Sequence, residues 1–219
     1  MVGGYQDLLV SLPKSKRDVK QRASMKTPEN VALAKKFDKE YWDGSRATGY
    51  GGYEYDARWR SVAKDLIKFF DLKPGNRVLD VGCGKGFLVY DLIKEGVPID
   101  VYGIDISEYA IKNSPFNIRV KLRQGTADAL PFEDKSFDLV VSINTLHNLP
   151  KERCIKALQE IERVSRGSSY VVVDSYYSHE QKREFESWQL TAETYGYPEE
   201  WIKMFKDAGY RGHFSWNVL

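Results

Sequence analysis

The sequence predicts an α/β fold built on a doubly wound, mostly parallel sheet. Three observations predict it. From about residue 58 onward, short apolar stretches alternate with stretches of helical period. Residues 77–81 run directly into a glycine-rich turn, Gly82-Cys83-Gly84-Lys85-Gly86, that opens a helical pattern. Leu139-Val140-Val141 is apolar without interruption, as parallel strands buried on both faces are. The expected sheet has six or seven strands, with helices on both faces.

The elements follow in chain order. Residues 1–30 read as a polar, flexible N-terminal arm, with the basic run Pro13-Lys14-Ser15-Lys16-Arg17 as a solvated tail. Thr27 is placed to cap a helix that starts at Pro28 and repeats Val31, Leu33, Ala34, Phe37 and Tyr41. Thr48 to Tyr55 holds three glycines and three tyrosines, which makes it a shaped loop. Residues 31–57 therefore form a helix followed by a Gly/Tyr loop, and 58–219 form the α/β domain. Within that domain, helices are expected at 59–70, 87–94, 108–113, 151–164, 180–189 and 199–208. Strands are expected at 77–81, 101–104, 118–122, 137–143, 170–173 and 213–218, with room for only one strand after Ala208.

Bulk properties exclude several classes. Among 219 residues, 33 basic and 31 acidic side chains leave a net charge of +2, which argues against a nucleic-acid binder; no DNA partner is expected. No apolar run reaches the length of about 18 residues that a membrane span needs, and the start lacks a signal-peptide pattern. Cys83 and Cys154 form neither a disulfide framework nor a metal-ligand spacing, so reduced thiols in a cytoplasmic protein, without a metal, are expected.

The chemistry centres on the glycine turn. Glycines at the carboxyl end of a strand let a ligand lie against bare backbone, and N–H groups at a helix start favour negative groups. Gly82, Gly84 and Gly86 are spaced Gly-x-Gly-x-Gly, with Phe87 where a dinucleotide fingerprint would place its third glycine. No Gly-Lys-Ser/Thr follows, so a phosphate-binding P-loop is excluded. About 20 residues on, Asp105 ends a strand where a carboxylate accepts both ribose hydroxyls. A third loop, Gly125-Thr126-Ala127-Asp128, offers an acceptor for an adenine amino group. A fourth strand leads into Asn144 and His147 at the same strand-end face.

Together these four ordered motifs resemble the class I S-adenosylmethionine (SAM)-dependent methyltransferases, over residues from about 58 to the end. The resemblance implies a Rossmann-like fold whose cofactor is SAM and whose product is S-adenosylhomocysteine (SAH). It implies that Gly82, Cys83 and Gly84 meet the methionine end, supported by Asp80. Asp105 would hold the ribose, with Ile106 against the adenine, while Ala127 and Asp128 address the adenine edge. Asn144 would sit beside the methionine portion. The family's usual sheet closes with an antiparallel hairpin, for which this chain has little room. The fourth motif is not Asp/Asn-Pro-Pro-Tyr/Phe, which lowers DNA-base and glutamine acceptors and favours a small-molecule acceptor. By analogy with relatives, Tyr50, Gly51 and Tyr53 would form a lid that excludes water, with Arg46 or Arg58 pairing with the SAM carboxylate. His147 is the candidate general base. A protein or RNA acceptor, or a non-enzymatic SAM-binding role, are the alternatives; Phe87 disfavours a nicotinamide oxidoreductase.

Overall fold

The computed structural model describes residues 3–13 and 18–218. Lys14, Ser15, Lys16 and Arg17, most of the expected basic tail, lie outside the described residues. The strands are β1 (Arg77–Val81), β2 (Asp100–Asp105), β3 (Leu122–Gln124), β4 (Phe137–Ile143), β5 (Ser165–Asp174) and β6 (His213–Asn217). They form one sheet in the order β3-β2-β1-β4-β5-β6. Every adjacent pair is parallel. This is the doubly wound, Rossmann-like fold the sequence predicts, without an antiparallel closing hairpin among the described residues.

Alternation along the strands assigns each residue to a face. Leu79, Val140 and Phe214 pack with Leu158, Ile161, Trp201 and Phe205 of α7 (Lys151–Val164) and α9 (Pro198–Ala208). Val78, Leu139 and Val172 face Val62, Leu66, Val89 and Leu92 of α4 (Trp59–Phe69) and α5 (Phe87–Lys94). Two cores thus sandwich the sheet, as helices on both faces require. Phe205 is fully buried, so truncating it to alanine costs about 3–5 kcal/mol.

The expectations for the third strand and for the N-terminal arm are corrected. The third strand is not 118–122: residues 119–121 form a 3-10 turn in which Val120 is 91% exposed, and the strand starts at Leu122. The segment read as a polar, flexible arm is partly docked. Tyr5 bridges in parallel to Phe214 on the outer edge of β6, and Gln6 donates its N–H to the Phe214 carbonyl at 2.9 Å. Leu8 is buried and its N–H meets the Tyr170 hydroxyl at 3.1 Å.

Among the described residues, three short helices precede the domain: α1 (Val19–Ser24), α2 (Pro28–Ala34) and α3 (Lys39–Trp42). Thr27 caps α2 through the Asn30 N–H, as its hydroxyl and position predict. The helix reading of 28–41 is broken at Phe37, whose φ is +50°. That break turns Tyr41 and Trp42 toward the sheet's carboxyl end, which is where the site forms.

Candidate active site

The strand order reverses at β1, whose neighbours are β2 on one side and β4 on the other. In open α/β sheets ligands bind at such a switch point, outside the carboxyl strand ends. A cavity opens there, bordered by Asp80 and Gly82 of the β1 end, Asp105 of β2 and Asn144 after β4.

The glycine turn shapes its floor. Gly82 has φ +84°, and a Cβ there would lie 2.0 Å from Thr145 Oγ1. Gly84 has φ +54°, and a Cβ would reach within 2.7 Å of the Trp42 ring. Both positions demand glycine on conformation and on space. The first three N–H groups of the turn, however, are already used. Gly82 and Cys83 donate to the Ile104 carbonyl at 2.7 and 3.1 Å, and Gly84 donates to Asp105 Oδ2 at 2.8 Å. At Gly82, Cys83 and Gly84 the turn therefore offers the cavity close backbone approach, and these three donors lock β1 to β2.

The carboxylates reinforce that conclusion. Burial, joined by the Asp105 charge, pushes the Asp80 carboxyl up to about 7. Such a group favours a cationic neighbour. Asp105 accepts N–H bonds from Gly84 and Ser107, each at 2.8 Å, which fix its orientation. Burial outweighs those donors and raises its pKa. Burial also drives the Cys83 thiol well above its ordinary range, so it is a wall and not a nucleophile.

The remaining expected residues divide. Ile106, half exposed, and Ala127 border the cavity. Asn144 does too, in a left-handed conformation at φ +55°. Its Oδ1 is buried and has no hydrogen-bond partner, an uncompensated acceptor of the kind a ligand donor satisfies. Asp128 does not reach the cavity wall. Arg153 grips it in a bidentate pair at 2.7 and 3.0 Å, and Thr126 donates to it. The Arg153 contact is the largest cause that holds the Asp128 carboxyl down at about 2.

The Gly/Tyr loop lies over the site. Tyr50 stacks on Trp42 with ring centroids 5.5 Å apart, and Tyr53 stacks on Phe87 at 4.6 Å. Both tyrosines border the cavity, while Gly51 packs against Arg46. The loop is clasped by residues that the sequence reading missed. Lys85 Nζ bonds both Asp43 oxygens and the Tyr53 carbonyl, and the Trp42 indole donates to Ser107 Oγ at 2.9 Å. The signal for Lys85 was its charge inside an otherwise small, neutral turn.

A second cavity abuts the first, sharing Tyr41, Tyr50, Tyr53, Trp59 and Asn144. Its further wall carries Arg22, Arg46, His147, Asp174 and Trp188. Arg46 thus faces the second cavity, where its Nη1 donates to the Tyr50 carbonyl at 2.8 Å. Arg58 is there too, held by Asp56 at 2.6 Å. His147 is nearly buried, and its nitrogens are engaged: Nδ1 accepts the Asp174 N–H at 3.2 Å, and Nε2 lies 3.2 Å from Asp174 Oδ2. Burial lowers its pKa against the opposing pull of Asp174. Both lone-pair and N–H positions are occupied within the protein, which is a poor arrangement for the general base the sequence suggested.

Residues 72–209 match the family described as Methyltransferase domain. The chain belongs to that family. Demethylmenaquinone methyltransferase from Desulfitobacterium hafniense (strain Y51) is 34% identical over 125 residues, covering 53% of this chain and 47% of that protein. The protein of the same name from Staphylococcus aureus (strain JH9) is 34% identical over 145 residues, covering 64% and 55%. The chain spans about half the length of the curated relatives it matches. Solved structures share the fold. A Haloferax volcanii methyltransferase complex with the Trm112 activator aligns with TM-score 0.57 at 24% identity, covering 69% of this chain and 67% of that one. Phosphoethanolamine N-methyltransferase 2 of Haemonchus contortus, solved with phosphomonomethylethanolamine and SAH, aligns with TM-score 0.55 at 18% identity, covering 80% and 44%. The family, the switch-point cavity and the Gly-x-Gly-x-Gly turn agree on a class I SAM-dependent methyltransferase. Among the described residues no cluster could hold a metal ion, and no helix is long and apolar enough to cross a membrane.

Proposed function

We propose that this methyltransferase binds SAM in the first cavity and transfers its methyl group to a small-molecule acceptor in the second. The observation that carries the reading is the shared wall: Tyr50, Tyr53, Trp59 and Asn144 border both cavities, so two ligands would meet there. When bound, SAM supplies a methyl group already activated on a sulfonium. Asp105, with its two oxygens pre-aimed by backbone N–H groups, accepts the ribose hydroxyls. Ile106 and Ala127 flank the adenine. Asp80, buried and in need of a cation, faces the methionine ammonium, and Asn144 Oδ1 accepts a donor at the same end. The stacked Trp42, Tyr50 and Tyr53 exclude water, the two tyrosines hold the acceptor in line, and positioning of this kind supplies much of the rate. The Asp128–Arg153 pair supports the adenine loop from behind.

A second cavity framed by Trp59, Tyr50 and Trp188 supports a small molecule over a polymer. So does the name of the 34%-identical relatives, which carries a small-molecule acceptor. Thermal shift with SAM, SAH and NAD tests the donor: stabilisation by SAM and SAH is expected, and stabilisation by NAD alone overturns the reading. Acceptor screening by methyl-mass gain then tests the transfer.

A further inference from the structure

The second cavity holds charge that methyl transfer itself does not use. Arg22 is only 8% exposed. Its Nη1 donates to the Gly49 carbonyl at 2.9 Å, and its guanidinium lies 5.1 Å from the centroid of the Trp188 ring. Its Nε is buried without a hydrogen-bond partner. Among the described residues no carboxylate forms an ion pair with Arg22 or with Arg46. Burial lowers the Arg22 pKa, and the nearby Arg46 charge lowers it further.

The acidic groups on this wall do not supply the missing counter-charge. The Asp174 carboxylate is taken by His147 and by the Asn217 amide, and Glu54 is exposed; Asp56, outside the lining, is taken by Arg58. A buried guanidinium without an anion is costly, and the cost is relieved when a ligand brings one. Paired guanidinium forks match the planar or tetrahedral oxygens of carboxylates and phosphates.

We propose that the acceptor carries an anionic group, a carboxylate or a phosphate, held in the second cavity by Arg22 and Arg46, with its apolar part against Trp188 and Trp59. The proposal rests on the second cavity being the acceptor site. The same chemistry could come from the methionine carboxylate of the donor. Neither arginine borders the first cavity with Gly82 and Asp105, which favours a separate ligand.

Three probes test this by calorimetry on the full chain, with and without saturating SAH: benzoate, phenyl phosphate and neutral benzamide. At least one anion should bind tenfold or more tightly than benzamide, and the stronger of the two identifies the group. Arg46→Gln, at an exposed position, should weaken that anion about tenfold and by a larger factor than it weakens SAH. Arg22→Met, if folded, should do the same. Equal binding of benzamide, an unchanged anion affinity in R46Q, or a loss falling mainly on SAH would each overturn the proposal. Failure of wild-type protein to bind SAH would instead sink the methyltransferase reading, while the probe titrations without SAH still decide the anion site.

Discussion

Lys85 Nζ lies 2.6 and 2.8 Å from the two carboxylate oxygens of Asp43, joining the glycine turn to the segment that covers it. The Lys85 side chain is 8% exposed and that of Asp43 28%. A pair sheltered to this degree is worth more than a surface salt bridge and less than a fully buried one. Lys85→Met should loosen the cover by about 1–2 kcal/mol, and so weaken SAH binding roughly 5–30-fold. Isothermal titration of SAH reads this directly; undiminished affinity would detach the clasp from ligand binding.

Asp80 predicts a pH dependence. Its carboxyl titrates at about 7 in the folded chain against roughly 4 when unfolded. A raised carboxyl binds its proton more tightly when folded. The chain is therefore penalised as pH rises from about 4 through 7, and the penalty is complete above 7. Asp80→Asn removes it, so the variant's stability relative to wild type should improve over that range. A cationic ligand beside Asp80 favours the charged form, so binding near pH 6 should release a proton. SAH affinity should then weaken up to about tenfold per pH unit below 7. Calorimetry in buffers of different ionisation enthalpy measures that proton; uptake, or none, would contradict the placement.

Gly84→Ala combines a left-handed φ of +54° with a Cβ 2.7 Å from the Trp42 ring. Backbone strain of about 1–2 kcal/mol lowers the melting temperature by roughly 2–8 °C in a chain of this size. Displacement of Trp42 should also cut SAH affinity by an order of magnitude or more. A melting scan and a titration on the same sample separate the two effects.

His147→Asn tests what the histidine does. Because Nδ1 and Nε2 both bond Asp174, the loss should fall on the stability of the β5 end, by about 1–3 kcal/mol. The turnover of the surviving folded enzyme should stay within about tenfold, below the range usual for removing a general base. A thousandfold fall in kcat at unchanged melting temperature would restore His147 as the base.

The fold was legible where local signals agreed. β4, α5 and α7 have the bounds their apolar patterns predict, because in each the periodicity and the flanking residues stop at the same place. β3 was misplaced because Ile118 and Val120 look like strand residues, yet Val120 points outward and the strand itself carries exposed Arg123 and Gln124. The docking of Tyr5 and Leu8 was invisible because their partners, Phe214 and Tyr170, lie far along the chain. At the site, the strand-end residues Asp80, Gly82 and Asp105 could be read from spacing. The occupation of the Gly82, Cys83 and Gly84 N–H groups, the retreat of Asp128 to Arg153 and the encirclement of His147 depend on tertiary neighbours that no local pattern encodes. Arg22 lay in a segment whose polarity read as solvation.

The contact between Leu8 and Tyr170 spans 162 residues, and Arg22 reaches forward to Trp188 in the same way. On the ribosome these early residues emerge long before anything they bind. At synthesis rates of about 5–20 residues per second, they wait many seconds unpartnered. Strands β1 to β4 can pair meanwhile, but the edge of β6 cannot exist until His213–Asn217 are made, nor the wall around Arg22 until Trp188 is. Tyr5, Leu8 and Arg22 thus find their places only after Phe214, Tyr170 and Trp188 have been made, and the pocket wall around Arg22 is completed by a contact of long sequence separation.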